Sequence, residues 1–313
     1  LTRVAVRNCS SNSVGMAQVN GRFMAVDCEF SGCSSNGANG LISCSGTTVD
    51  LTNCTITGCT SSTTGGVMTM FAGVCNITNC TIAGNTTGST SSGALVLSTS
   101  ASINLRNTIL AANNGGTNGA GTGTFASAGF NLIDNTTGMN ITLQGTDITG
   151  ASPALSALSD NGGPTNTMAL ASNSPCIDAG DASGSTTDQR AETRPFDVTT
   201  VTDVSDGSDI GAFEWHPPAA TPTITVTGTL GTFASVGAGN PSLEQKFTVE
   251  GTTLTQPISI TPPQHWEVSF TSGGTFTAFP GSISTTAPTG GVVATTTVFI
   301  RYNPSGTPPN SGV

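Results

Sequence analysis

The sequence of 313 residues is short of charge: only 8% of it is Asp, Glu, Lys or Arg, against about 25% in ordinary soluble domains. Lys246 is the sole lysine. With so few cations no run of phosphates could be neutralised, which excludes nucleic acid as a partner. Long apolar runs are also missing, so no membrane-spanning helix is encoded. Aromatic residues make up 5% and there are two histidines. No Ser–His–Asp arrangement, Gly-rich phosphate loop or His/Cys metal cluster can be read from the motifs. Nine cysteines occur, but none in a CxxC pair, which removes the zinc-ribbon spacing. Helical spacing of apolar residues is nowhere sustained.

Gly, Ser, Thr and Asn fill the place of the missing charge. Disorder is not the reading, because disordered chains are poor in β-branched residues and rich in net charge, and this chain is neither. Abundant Thr, Val and Ile suit extended, stacked strands. The net charge of −10 is uneven. Residues 1–133 hold Asp27, Glu29 and Asp50 against four arginines, whereas residues 134–215 hold twelve acids against Arg190 and Arg194. The chain opens on Leu1 and carries no signal peptide, and it is read as a fragment of a longer protein.

A repeat organises the first part. Asp27-Cys28-Glu29-Phe30-Ser31-Gly32-Cys33 aligns with Asn53-Cys54-Thr55-Ile56-Thr57-Gly58-Cys59, then with Asn79-Cys80-Thr81-Ile82-Ala83-Gly84-Asn85 and Asn107-Thr108-Ile109-Leu110. Phe23, Val49, Cys75 and Ile103 form a second column, and Ala25, Leu51, Ile77 and Leu105 a third. Each unit holds about three short strands with period-two alternation, broken by Gly, Asn and Ser turns. Such units cannot bury an apolar face alone and must stack. Wound as coils, each rises by one strand spacing of about 4.8 Å, so that like residues lie above like. This predicts an all-β chain whose first part is a right-handed parallel β-helix. Cys28, Cys54 and Cys80 form a core ladder in that arrangement, either as free thiols packed like small apolar residues or as cross-coil disulfides. Asn85 and Asn113 end another column and suggest stacked amides.

From Leu155 the text changes. Asp160-Asn161-Gly162-Gly163-Pro164-Thr165 is followed by Ser174-Pro175-Cys176-Ile177-Asp178-Ala179-Gly180-Asp181, Asp188-Gln189-Arg190, Arg194-Pro195 and Asp209-Ile210-Gly211-Ala212-Phe213-Glu214. This succession resembles the choice-of-anchor Q domain proteins, over roughly residues 20–215. Cys176 and Ala191 depart from that family's usual alanine and glycine. The resemblance implies a secreted or surface-exposed bacterial protein of β-helical build, held by a C-terminal anchor, with no defined reaction. Residues 1–215 are thus expected to be a β-helix whose acidic segment, about 150–215, caps the end coil and its unpaired edge. In that cap Asp178 and Asp188 are expected to hold Arg190 and Arg194 in a network that includes Asp209 and Glu214. Calcium is the one cofactor suggested: Asp203, Asp206 and Asp209 set oxygen ligands at alternate positions around Gly207. A plain polar loop is the alternative.

Residues 216–222 are a proline-rich linker. Beyond it, alternating stretches such as Trp266-Glu267-Val268-Ser269-Phe270 and Val298-Phe299-Ile300-Arg301-Tyr302 predict a β-sandwich over 223–313. Phe247 to Leu254, Pro263 to Ser269 and Val298 to Pro304 are similar to the small Ig-like domains of type IX-secreted bacterial surface proteins, here one strand short. The expected function is a structural or adhesive surface protein without catalytic activity, with surface glycans or other surface proteins as partners. The alternative is a carbohydrate-binding or polysaccharide-degrading β-helix. For hydrolysis it would need two carboxylates a few ångströms apart, and Asp27 with Glu29 is the one lead, both expected as solvated surface acids.

Overall fold

A repeated six-residue phrase shapes each coil. Asp27, Asn53, Asn79 and Asn107 all sit in the left-handed backbone region, with φ of 54°, 50°, 53° and 48°. Asn and Asp tolerate that conformation because their short polar side chains bond locally. The next residue turns inward (Cys28, Cys54, Cys80), the following one faces out, and Phe30, Ile56 and Ile82 enter the core. Gly32, Gly58 and Gly84, again at positive φ, make the next corner. Corner, short strand and corner are therefore written in the phrase itself.

In the computed structural model, residues 1–304 are described except for 14–16, 38–39, 62–65, 89–92, 219, 235 and 238. No helix occurs among them. Three parallel sheets form the coils. The first has seven strands, Ala5–Arg7, Glu29–Ser31, Thr55–Thr57, Thr81–Ala83, Ile109–Ala111, Leu132–Ile133 and Ile148–Thr149. The second has four, Ser10–Ser11, Ser34–Ser35, Thr60–Ser61 and Thr86–Thr87. The third has nine, dominated by Met68–Thr78 and Gly93–Arg106. Register follows the repeat: Phe23 pairs with Val49, Val49 with Cys75 and Cys75 with Ile103. Ala25, Leu51, Ile77 and Leu105 stack likewise. This all-β, coiled architecture is the one the repeat predicts.

The coil interior is apolar and continuous, with Leu51, Ile56, Met68, Ile77, Ile82 and Leu95 fully buried. Each such side chain contributes about 1.5–3 kcal/mol on burial. All nine cysteines are free thiols, and only Cys9 is not buried. Cys28, Cys54 and Cys80 line the interior, each sulfur bonded to the carbonyl two residues before it. Polar side chains link successive coils: Asn107 donates to Asn79, Asn104 to Asn76, Asn76 to Asp50 and Asn85 to Asn113, at 2.8–3.1 Å.

The chain forms two compact units, Leu1–Pro217 and Pro218–Val313. The second unit has a five-stranded antiparallel sheet, ordered Thr223–Thr227, Gln245–Thr252, Val293–Tyr302, Trp266–Ser269 and Thr277–Ala278. A two-stranded sheet joins Ser259–Ile260 and Ile283–Ser284. Val249, Ile258, Val268, Val293, Val298 and Ile300 form its core. The pairing is compatible with a β-sandwich. Residues 305–313 of the expected sandwich lie outside the described residues.

Candidate functional site

The acidic segment is not an end cap. It lies along the flank of the coils, from the first repeat to the last. Thr165 donates to the Asp27 carbonyl, and the Asn166 N–H to Glu29. Thr55 donates to Gln189 at 2.6 Å. Asn53 and Asn79 donate to the Thr187 and Ala182 carbonyls. The Ala212 N–H reaches Thr81, and Asn107 donates to the Asp209 carbonyl at 2.9 Å. Outward residues of the first sheet are buried by this cover. Ile109, Ala111 and Leu132 form a second core, outside the coil, with Leu170, Cys176, Ile177, Ile210 and Phe213.

Two motif glycines permit the close approach. A Cβ on Gly180 would lie 2.4 Å from the Asn107 Oδ1 and 2.6 Å from the Asp209 carbonyl oxygen. Gly211 has φ of +107°, and a Cβ there would meet Ile109 at 2.8 Å and Thr81 at 2.9 Å. A Cβ would force neighbours to shift at both positions: Asn107 and the Asp209 backbone at Gly180, the Ile109 and Thr81 side chains at Gly211.

The charged network lies within this cover. Arg190 donates to Asp188 at 2.8 Å and to the Glu214 carbonyl at 2.6 Å, and its guanidinium stacks 3.7 Å from the Phe213 ring centre. Arg194 donates to Glu214 at 2.7 Å with both side chains fully buried. Its two terminal nitrogens have no hydrogen-bond partner among the described residues. Glu214 also accepts the N–H groups of Phe196 and Asp209. Asp209 accepts those of Asp178 and Trp215. Burial, then the facing Glu214 carboxylate, push the Asp209 carboxyl up to about 8. Asp188 accepts from the Arg190, Glu192 and Glu214 backbone.

Asp178 departs from the expected network. It bonds neither arginine; its carboxylate accepts the Val198 N–H and converges with Asp197 and Asp203, all three oxygens lying within 4.8 Å of one another. Burial, reinforced by the charges of Asp203 and Asp197, pushes its carboxyl up to about 6. The expected calcium trio does not assemble. Asp206 turns to the Ala182 N–H at 3.0 Å and Asp209 is buried in the arginine network. Asp178, Asp197 and Asp203 are the residues whose oxygens could hold a hard cation such as calcium. Sequence reasoning missed Asp197, although it follows the Arg194-Pro195 motif by two residues. It also missed Gln189, which ties Thr55 to Thr165 and Asn166, and Asp181, which pairs with Arg106 at 2.8 Å.

The acids of the regular coils are all engaged. Glu29 is fully buried, not solvated; it holds Arg7 and Ser31 as well as the Asn166 N–H. Burial alone would raise its carboxyl, but Arg7, Ser31 and Asn166 outweigh it and hold it below the ordinary value. Asp27, also buried, accepts from Asn53 at 3.1 Å and faces Arg3. Asp50 pairs with Arg22 and Asn76. His216 stacks on Phe196, ring centres 4.2 Å apart.

The family model described as "Right handed beta helix region" matches residues 1–169. The chain belongs to the right-handed β-helix family. That family includes enzymes of the pectate-lyase kind and non-enzymes alike. No curated protein and no solved structure matches the chain. The matched region of this β-helix protein holds all the regular coils and the Asp160–Thr165 motif that begins the flank.

Proposed function

We propose that this β-helix protein is a secreted structural and adhesive module of a bacterial cell surface, and not a catalyst. One observation carries the reading: the first sheet, with Glu29 on its second strand and Asp27 at the corner before it, is covered by the protein's own flank. A carboxylate pair that hydrolyses a glycosidic bond must reach the substrate from both sides. Glu29, bonded to Arg7, Ser31 and Asn166 under a buried cover, has no such access. The choice-of-anchor Q resemblance and the Ig-like resemblance of the second unit point the same way, to a rigid stalk followed by a spacer.

The test is incubation of the chain with polygalacturonate and neutral plant and microbial polysaccharides, following unsaturated products and reducing ends. No turnover is expected. Turnover that disappears in Glu29→Gln would overturn the reading. Calcium is proposed as a structural ion at Asp178, Asp197 and Asp203. Calorimetric titration should give heat that Asp203→Asn removes; no heat with the parent chain would dismiss the ion.

A further inference from the structure

Aromatic side chains gather around Trp266. In the second unit Trp266, Tyr302 and Phe233 form one cluster, with ring centres 4.6 Å (Phe233–Trp266, 87° between planes) and 5.3 Å (Trp266–Tyr302, 62°) apart. They line, with Ala234, an open concavity of about 330 Å³. A second recess of about 140 Å³ also meets Trp266 and is walled by Gln264, His265, Ala278, Phe279 and Asn303. Trp266 belongs to both linings: the first is an aromatic hollow, the second a recess of amides and an imidazole. Phe279 stands at its rim, 52% exposed.

The recess has an unmet polar group. Asn303 donates its N–H to the His265 carbonyl at 2.8 Å and its side-chain amide to Glu267 at 2.7 Å. Its Oδ1 is buried and has no partner among the described residues. A buried acceptor left unpaired carries a desolvation cost that a ligand hydroxyl would offset. The loop that presents Gln264 and His265 is fixed: His265 has φ of 70°, and the Trp266 N–H bonds the Pro263 carbonyl at 3.1 Å. Among the described residues, no charged side chain lines either hollow. Arg301 and Glu267 beside them neutralise each other at 2.7 Å, and Arg301 is stacked 3.9 Å from Phe276.

We infer that this paired hollow is a binding site for a neutral sugar ring. A pyranose is amphipathic, with C–H faces that stack on the electron-rich faces of Trp and Tyr and hydroxyl edges that need placed acceptors and donors. Trp266, Tyr302 and Phe233 supply the first; Asn303, Gln264 and His265 supply the second. The larger hollow falls within the usual size of small-molecule sites, about 300–1,000 Å³. With no cation among the described residues that line it, a phosphorylated or uronic ligand is disfavoured. The site gives the adhesive reading a ligand class and rests on it only for its biological setting.

The probe is a panel of neutral oligosaccharides ending in hexose or N-acetylhexosamine, titrated against the full chain in a Trp215→Phe background, so that Trp266 alone reports. Binding should change Trp266 fluorescence. Phe279→Ala and Gln264→Ala, both at the rim and outside the core, should each weaken it about tenfold, the loss of one good contact. An unchanged urea midpoint for these two variants would show that the fold is intact. No change with any sugar at millimolar concentration would overturn the site, as would binding that both variants leave intact or selective response to peptides or nucleotides. Those failures leave the adhesive reading standing, since it is judged by polysaccharide turnover.

Discussion

Arg194 is the largest of the fully buried side chains in the described structure, and replacing it with alanine is the sharpest perturbation of the flank. The variant would leave Glu214 buried without its guanidinium partner beside Asp209, whose carboxyl is already pushed up by burial and by Glu214. Removing one partner of a buried ion pair costs about 3–5 kcal/mol, because the other charge is stranded. For a unit of this size each kcal/mol moves the melting temperature by about 2–4 °C, so a fall of roughly 6–20 °C is expected. Arg3→Ala is the comparison: Arg3 is 55% exposed and lies 3.4 Å from Asp27, so its loss should cost no more than about 1 kcal/mol. Trp215 packs against the flank core, and in a Trp266→Phe background its fluorescence follows this unit alone. If Arg194→Ala melts within the range of Arg3→Ala, the flank is not held by this pair and the network argument is refuted.

Gly211→Ala places a Cβ against Ile109 and Thr81 at positive φ; thermal melting should show a loss of at least about 1–3 kcal/mol, and an unaltered melt would mean the flank stands off the coils. Ellman's reagent should find one reactive thiol, Cys9, in the native chain and all nine after denaturation; a shortfall of two or more in denaturant would reveal disulfides. The pH dependence has two opposed parts. Glu29, held below its ordinary value, stabilises the fold above the carboxylate range and ceases to do so as pH falls through its folded-state value. Asp209, raised to about 8, binds its proton more tightly when folded, so stability should decline as pH rises from about 5 to about 8. Urea midpoints at the two pH values measure this, and a slope that Asp209→Asn leaves unchanged would count against it.

The coil was legible because its rule is local and repeated. Asn or Asp at a left-handed corner, Cys inside, Thr outside, Ile inside and Gly at the next corner recur in one phrase, and stacking turns that phrase into columns. The flank was legible as text but not as geometry. Ile109 occupies the outward position held by Thr81 one coil earlier, and its burial follows only once Ile177, Ile210 and Phe213 are laid over it. The same reason explains the misplaced acids. Spacing in 203–209 suggested a chelating loop, whereas Asp206 and Asp209 are drawn to backbone N–H groups at residues 182, 178 and 215. Asp178 and Asp197 join Asp203 from elsewhere in the segment. Contacts between the flank and coils some 75 to 138 residues away leave no periodic trace.

Pyrene labels can test directly whether residues one coil apart lie on each other. Asp50 and Asn76 are direct partners in adjacent parallel strands, separated by about 4.8 Å, and both point outward. In a Cys9→Ser background, Asp50→Cys with Asn76→Cys should give strong excimer emission after native labelling. Thr60→Cys with Asn76→Cys, closer in sequence but on a different sheet, should give none. Monomer emission from the first pair, or excimer from the second, would contradict the coiled architecture.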